Sequence, residues 1–126
     1  MSMVGVSGYG YGVPLSYAYT GDALYCHCAL EGEKIENLRR NNGISFCVVK
    51  EAAPLPDRFS MRYESAIVSG RAREVEGEEK LNALLALVGK YCAEFAEKGR
   101  EYALASLDKT LVMAIDIEQV TGKARK

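Results

Sequence analysis

Hydrophobic and polar positions alternate in short stretches over most of the chain, and a period of two is typical of β-strands. In one such stretch Leu24, Cys26 and Cys28 share one face, while Tyr25 and His27 share the other. Strands are expected over residues 3–6, 11–19, 23–29, 44–50, 59–75 and 111–117.

Two stretches have a helical period instead. Residues 33–40 predict a short helix, and Asn41 and Gly43 predict its end because both accept the left-handed cap conformation. Apolar residues at steps of three and four predict an amphipathic helix over residues 78–92, followed by a second helical segment over 93–104. The inward side chains of these helices are expected to be Ile35, Leu38, Leu81, Leu84, Leu85, Val88, Cys92 and Phe95.

Glycine and proline mark the places where strands bend or stop. Pro14 cannot donate to a β-ladder, so the backbone there must lie at an edge or face something other than a strand, such as a ligand. Gly70 predicts a bulge or bend within a long strand. The prolines of residues 52–56 predict a loop, and Thr121 with Gly122 predicts the end of the last strand before a frayed basic tail.

The element order β-β-β-α-β-β-α(α)-β has hairpins early and helices late. It predicts an α+β fold that is mainly β, with an antiparallel sheet closed into a barrel and helices packed outside it. The 126 residues fit one core, so residues 1–126 are expected to form a single domain.

Composition and charge mainly exclude classes of partner and of catalytic site. The net charge is −1 and the Lys and Arg residues are scattered, so neither nucleic acid nor a membrane is expected as a partner. No apolar run approaches the roughly 18 residues that span a bilayer. The first residues lack the pattern of a signal peptide, and a cytoplasmic location is the default expectation. No G-x-S-x-G, P-loop or paired-carboxylate motif is present, so no catalytic side chain is predicted.

The four cysteines are predicted to be reduced thiols that pack as small apolar side chains. The alternative is a zinc site built from Cys26, His27 and Cys28. Neighbouring residues of a strand point to opposite faces, however, and therefore converge poorly on one ion. No metal is expected.

Candidate ligand chemistry is concentrated where the strand over residues 23–29 leads through Gly32 into the helix over 33–40. A helix N-terminus has free N–H groups and a partial positive charge, which suit an anion. A cation such as Lys34 is disfavoured in this first turn unless an anion is bound there. Lys34, with His27 beside it, therefore predicts a phosphate contact. The alternative is a solvated surface lysine and a capped core histidine.

Five stretches of the chain match a known pattern when taken together. They are residues 13–17, 24–29, 31–41, 62–72 and 117–125. They resemble the nitroimidazole-resistance-type branch of the pyridoxamine-5'-phosphate-oxidase-like superfamily, and the first three resemble its flavin-binding core. The resemblance covers nearly the whole chain, and the order and spacing of the stretches are more specific than any one of them.

The resemblance implies a split β-barrel homodimer that binds FMN in a groove at the interface. By position, Val13, Pro14 and Leu15 would line the isoalloxazine ring through backbone and apolar contacts. His27 and Lys34 would hold the phosphate. The flavin would then be what the backbone at Pro14 faces.

Three further candidates come from the stretch over residues 62–72. Ser65 would bond the phosphate or the ribityl chain, and a small residue inside the barrel is the alternative. Arg62 and Tyr63 are nearby candidates for cofactor contacts.

The chain also departs from the family pattern. Relatives usually carry a further helix and part of a strand before the position of Met1, so the chain is expected to lack the family's N-terminal helix. Glu33 stands where a second basic residue is common. True pyridoxamine-phosphate oxidases end in a segment that contains arginine and tryptophan, and this chain has no Trp. Vitamin B6 oxidation is therefore not predicted.

The resemblance implies an FMN-dependent, NAD(P)H-dependent oxidoreductase that acts on nitroaromatic or quinone-like small molecules, with the cofactor carrying the chemistry. One alternative is a non-catalytic dimeric module that binds flavin or haem as a carrier or redox sensor. His27 is the single histidine and so the only candidate histidine ligand to haem. The other alternative is a structural dimer without a cofactor.

Overall fold

The computed structural model describes residues 1–126, which form one antiparallel sheet and three α-helices. The strands are β1 Ser2–Val4, β2 Gly10–Gly12, β3 Ala18–Thr20, β4 Ala23–Cys28, β5 Gly43–Leu55, β6 Ser60–Val75 and β7 Leu111–Arg125. The helices are α1 Glu33–Arg40, α2 Gly77–Tyr91 and α3 Ala96–Ala105. Single 3₁₀ turns occupy Pro56–Arg58, Ala93–Phe95 and Leu107–Lys109. No helix combines the length and the apolar character needed to cross a membrane.

The sheet has the strand order β2-β1-β5-β6-β7-β4-β3, so its two edge strands are consecutive in the chain. Seven flat strands at ordinary spacing would place these edges about 29 Å apart. Residues 13–17, which we call the edge segment, join them and reach at most about 21 Å. The sheet must therefore curl into a barrel. This closure confirms the predicted α+β barrel with helices outside.

Alternating faces of the sheet fill two separate cores. The barrel interior contains Leu24 and Cys26 of β4, with Phe46 and Met113 from neighbouring strands, and α1 covers one side. The outer face of the sheet packs against α2 and α3 through a second cluster. The members of this cluster are Ala18, Ala23, Val75, Ala83, Leu84, Leu87, Ala103, Val112 and Ala114. The predicted alternation along β4 and along the start of β7 is confirmed.

Several predicted boundaries agree with the structure. The helix over residues 33–40 has the expected bounds, with Ile35 and Leu38 buried. The strand expected over residues 59–75 is β6, and its register with β7 shifts between Ser69 and Gly70, as a bulge requires. A Cβ at Gly70 would collide with the backbone of Asp116, which explains why glycine occupies this position.

Other predictions at strand ends were wrong. Residues 11–19 are not one strand, because the chain leaves the ladder at Gly12 and rejoins it at Ala18. The loop expected over residues 52–56 belongs mostly to β5, which continues past a bulge at Glu51. The last strand does not end at Thr121 and Gly122, and its tail is paired with β6. In β5 and β7, hydrogen bonds to β6 outweigh the local preference of proline and glycine for turns.

Two details of the helices were also wrong. Asn41 ends α1 in an extended conformation with φ −145, rather than in the left-handed one, because the chain turns directly into β5. The helical period of α2 was right, but its phase was shifted. The side chains it buries are Lys80, Ala83, Leu84 and Leu87, whereas Cys92 and Phe95 are exposed. Small residues on the sheet let this face approach closely, and the apolar stripe between Leu81 and Val88 is wide enough to hide from the sequence which part of it is buried.

Candidate functional site

The edge segment leaves most of its backbone unpaired. Val13 exchanges two hydrogen bonds with Met1, of 2.8 and 2.9 Å. Beyond Val13, the N–H groups of Leu15 and Ser16 and the carbonyls of residues 14–16 bond to nothing within the chain. Val13 and Leu15 pack on the barrel core, while Pro14 and Ser16 face outward. The prediction that Pro14 lies outside a strand ladder is confirmed, and the segment presents free backbone groups at the barrel surface.

His27 lies near the end of β4 on the sheet's outer face, the one that α2 and α3 cover. Its ring makes no hydrogen bond within the chain. Partial desolvation, followed by the positive charge of nearby Lys34, lowers the pKa of His27 below 6.5. The imidazole is therefore neutral at pH 7, with one ring nitrogen free to donate and the other free to accept.

The first turn of α1 is the second source of unpaired polar groups. Gly32 caps the helix with φ 140 and offers no side chain, so the N–H groups of Glu33, Lys34 and Ile35 have no capping partner. Lys34 is half-buried and belongs to no ion pair. Its partial burial argues against a freely solvated lysine. Glu33 lies in the same turn, so the first turn of α1 has one cation rather than two.

A groove of about 940 Å³ lies between the C-terminal half of β4 and helices α2 and α3. Its walls are largely apolar, and its polar lining includes Ser16 and His27. The side chains from α2, α3 and the turn before β7 include Leu84, Leu87, Val88, Tyr91, Tyr102, Ser106 and Thr110. This size and lining, apolar with a few convergent polar groups, are typical of small-molecule and cofactor sites.

The remaining predicted site residues lie elsewhere. Arg62, Tyr63 and Ser65 are in the first half of β6, where that strand pairs with β5 and with the end of β7. Ser65 pairs with Lys123 of β7, whereas His27 pairs with Val112 of the same strand. Eleven residues of extended chain span about 35 Å. A single chain therefore brings His27, Lys34 and the edge segment to one end and leaves the β6 residues at the other.

Sequence reasoning missed several groove residues. Ser16 lies beside the predicted Leu15, and strict alternation along residues 13–17 would have shown that Ser16, not Leu15, faces outward. Tyr91, Tyr102 and Thr110 carried no local signal, because only the packing of α2 and α3 over β4 brings them to His27.

The cysteines behave as predicted where they are buried. Cys26 is fully buried, and desolvation raises its pKa to about 11, so it remains a thiol. Cys47 and Cys92 are exposed, which corrects the expectation that all four pack as apolar side chains.

A second cavity, of about 420 Å³, lies beside the C-terminal end of α1 and contains several arginines. Arg39 is 3.1 Å from a Glu74 carboxylate oxygen, and Arg71 is 3.2 Å from Glu118. These two guanidinium groups therefore already have carboxylate partners within the chain.

Three solved structures are similar to the chain. A proposed 5-nitroimidazole antibiotic resistance protein from Bacteroides thetaiotaomicron is 28% identical, with a TM-score of 0.77 over 96% of this chain and 72% of that one. A FAD-binding protein from Mesorhizobium loti is 26% identical, with a TM-score of 0.66 over 99% and 84%. A FAD- and haem-binding protein from Mycobacterium smegmatis is 21% identical, with a TM-score of 0.78 over 99% and 63%.

These similarities agree with the resemblance read from the sequence and with the split-barrel fold. The family model described as pyridoxamine 5'-phosphate oxidase matches residues 3–124, nearly the whole chain. The chain therefore belongs to the pyridoxamine 5'-phosphate oxidase family.

Proposed function

We propose that this protein binds FMN in the groove above β4 and uses it as an NAD(P)H-dependent oxidoreductase on nitroaromatic or quinone-like molecules. The observation that carries the proposal is the convergence of unpaired polar groups on one apolar groove. Ser16 and His27 line the groove, and Lys34 lies close enough to His27 to lower its pKa. Similarity to a FAD-binding protein and to a proposed nitroimidazole resistance protein supports the same chemistry.

The residues present fit a flavin mononucleotide. The free N–H groups of the first turn of α1 and the unpaired ammonium of Lys34 suit a phosphate. The neutral ring of His27 would donate one further hydrogen bond to it. The free backbone of Leu15 and Ser16 offers the alternating donors and acceptors that a flavin ring edge requires, next to apolar walls for its faces.

The chemistry that FMN supplies when bound is acceptance of a hydride from a reduced nicotinamide and transfer of electrons to the acceptor. The chain's own residues orient the ring, neutralise the phosphate and exclude water with the side chains of α2 and α3. No side chain of the groove is required as an acid or base.

A homodimer would complete this site. Val49 and Ile67 lie on the outer face of β5 and β6, opposite the buried Phe46 and Val68, and are 55% and 45% exposed. Exposed apolar side chains on the outer face of a sheet suit a partner subunit. Pairing of two such faces would let Arg62, Tyr63 and Ser65 of one protomer approach the groove of the other, since they cannot reach their own. Light scattering is expected to give a dimer, and Ile67→Asp is expected to give monomers with weakened FMN binding.

The test of the proposed function begins with the visible absorption spectrum of the purified protein, repeated on the filtrate after heat denaturation. A flavin spectrum with FMN as the released compound is expected. The holoprotein is then expected to oxidise NADH or NADPH in the presence of a nitroaromatic compound, faster than free FMN does. A protein that neither contains nor takes up FMN would overturn the proposal, and binding without turnover would leave a flavin carrier or sensor.

Haem is a second candidate ligand, because the neutral imidazole is the form of histidine that ligates haem iron. His27 meets this description, and one protein of similar fold binds both FAD and haem. Haem addition would then give a sharp Soret band that His27→Ala abolishes. A band that survives His27→Ala would rule out ligation by this residue.

A further inference from the structure

The last turn of α2 contacts the edge segment through hydrogen bonds from Lys90 and Tyr91. The Tyr91 hydroxyl accepts a hydrogen bond from the Tyr17 N–H at 3.2 Å and donates one to the Tyr17 carbonyl at 3.1 Å. The Lys90 ammonium donates to the same carbonyl at 2.8 Å. Lys90 and Tyr91, which are adjacent on α2, therefore satisfy both the N–H and the carbonyl of Tyr17. Tyr17 and Tyr91 are 74 positions apart in the sequence.

The same contacts fix the side chain of Tyr17. Lys90 Nζ lies 3.4 Å from the centre of the Tyr17 ring, a cation–π distance. The Tyr17 ring meets the Phe46 ring edge-on, with centroids 5.3 Å apart, within the barrel core. Lys90 takes part in no ion pair with a carboxylate. Its contacts within the chain are therefore directed at Tyr17 and at the ring of Tyr91, whose centre is 4.9 Å away.

The edge segment is held within the chain only near its ends, and β3 resumes strand pairing at Ala18, directly after Tyr17. Its first residue is tied to Met1, and residues 14–16 have no backbone hydrogen bond that would hold them in place. A free segment of this kind loses considerable conformational entropy when it is ordered by a ligand. Fixing Tyr17 at the far end leaves only the three middle residues to be oriented, and Ser16 among them lines the groove.

Tyr91 also lines the groove beside Ser16. One side chain therefore forms a wall for the ligand and, through its hydroxyl, holds the backbone that faces the same ligand. We propose that Lys90 and Tyr91 are positioning residues, which hold the edge segment in the extended conformation that presents the Leu15 and Ser16 backbone to the flavin ring. This inference rests on the proposed function for the identity of the ligand, but the holding of the segment does not.

The experiment uses the full chain and compares Tyr91→Phe and Lys90→Met with wild type. Tyr91→Phe keeps the aromatic wall and removes only the hydroxyl. In FMN-free protein, NMR relaxation is expected to show lower order parameters for the Leu15 and Ser16 amides. In titrations, FMN affinity is expected to fall by about three- to tenfold, the value of one or two neutral hydrogen bonds, and the visible band of the bound flavin is expected to shift.

Matched variants separate positioning from general effects on the groove. Tyr19→Phe removes the hydroxyl of an exposed tyrosine that lies outside the groove and whose side chain forms no hydrogen bond within the chain, and is expected to behave as wild type. Lys90→Arg keeps a cation and a donor and is expected to retain most of the affinity.

Tyr91→Phe with unchanged order parameters at Leu15 and Ser16 would overturn the inference. Greater motion without any change in flavin affinity or spectrum would also overturn it, because the segment would then not position the ring. If wild-type protein binds no FMN, the proposed function fails by that result alone, and the order parameters still decide whether Lys90 and Tyr91 hold the segment.

Discussion

The two halves of strand β4 use their polar side chains in opposite ways. At the N-terminal half, the Tyr25 hydroxyl donates to Glu79 at 2.9 Å, and Arg73 bonds to both Glu79 and Asp116. At the C-terminal half, two residues further on, His27 has no partner within the chain. Tyr25 and His27 lie on the same face of the sheet, but only Tyr25 has a carboxylate of α2 as a hydrogen-bond partner. A closed network at one end stabilises the sheet, while open groups at the other end are free to bind a ligand.

The largest expected effect comes from removing the ammonium group of Lys34, the cation near the C-terminal half of β4. Lys34→Ala is expected to weaken FMN binding by about tenfold to a hundredfold, because a charge-assisted bond to the phosphate is lost. Lys109→Ala, at an exposed lysine outside the groove, is the control and is expected to bind FMN as wild type does. Fluorescence titration measures both. Equal affinities for the two variants would remove Lys34 from the phosphate site.

A pair of glycines tests how closely the helices over the groove are packed. A Cβ at Gly99 of α3 would lie 2.5 Å from Val88 Cγ1 of α2, whereas a Cβ at Gly89 would meet nothing within 4 Å. Gly99→Ala is therefore expected to lower the free energy of unfolding by about 1–3 kcal/mol. Gly89→Ala is expected to raise it by about 0.5–1 kcal/mol, because alanine favours the helix. Chemical denaturation giving the same sign for both would contradict the packing described for Gly99.

In the hydrogen-bonded network at the N-terminal half of β4, a substitution is expected to change stability without changing FMN binding. Arg73→Met is expected to lower the melting temperature by a few degrees and to leave FMN affinity unchanged. Hydrogen bonds from Arg73 and Tyr25 lower the pKa of Glu79 below its ordinary 4.5. This stabilisation is present above that value and is lost as the pH falls through the lowered pKa. The difference between variant and wild type should therefore shrink in acid, and a difference that grows there would contradict the network.

The smallest effect is a shift in the titration of His27, the only histidine in the chain. Its imidazole is expected to titrate below pH 6.5 in the free protein, and its contribution to stability is lost as the pH falls below that value. A phosphate beside the ring favours the charged form, so FMN is expected to raise the pKa measured by NMR. An unchanged titration curve with FMN bound would place the phosphate away from His27.

Much of the fold could be predicted because local signals agreed with the tertiary structure. The helix over residues 33–40 and the alternation of Leu24, Cys26 and Tyr25 follow from periodicity alone. The ends of β5 and β7 could not be predicted, since they extend only because β6 is long enough to pair with them.

Some residues of the candidate site could likewise be predicted from the sequence, and others could not. Lys34 and Pro14 stood out because each conflicts with its local structure, a cation at a helix start and a proline in an apparent strand. Tyr91 conflicts with nothing at the end of α2, and its role emerges only from contact with Tyr17. Arg62, Tyr63 and Ser65 were predicted from the family resemblance. Their distance from His27 depends on how β4 and β6 are aligned along β7, which local sequence patterns do not show.

In the proposed flavin site, the C-terminal half of β4 and the start of α1 would hold the phosphate. The most direct test is to titrate wild-type protein and Lys34→Ala with FMN and with riboflavin, which lacks the phosphate. Wild type is expected to prefer FMN over riboflavin by at least about tenfold, and Lys34→Ala is expected to lose most of this preference while binding riboflavin as before. Equal affinity of wild type for the two flavins, or a preference that survives Lys34→Ala, would contradict it.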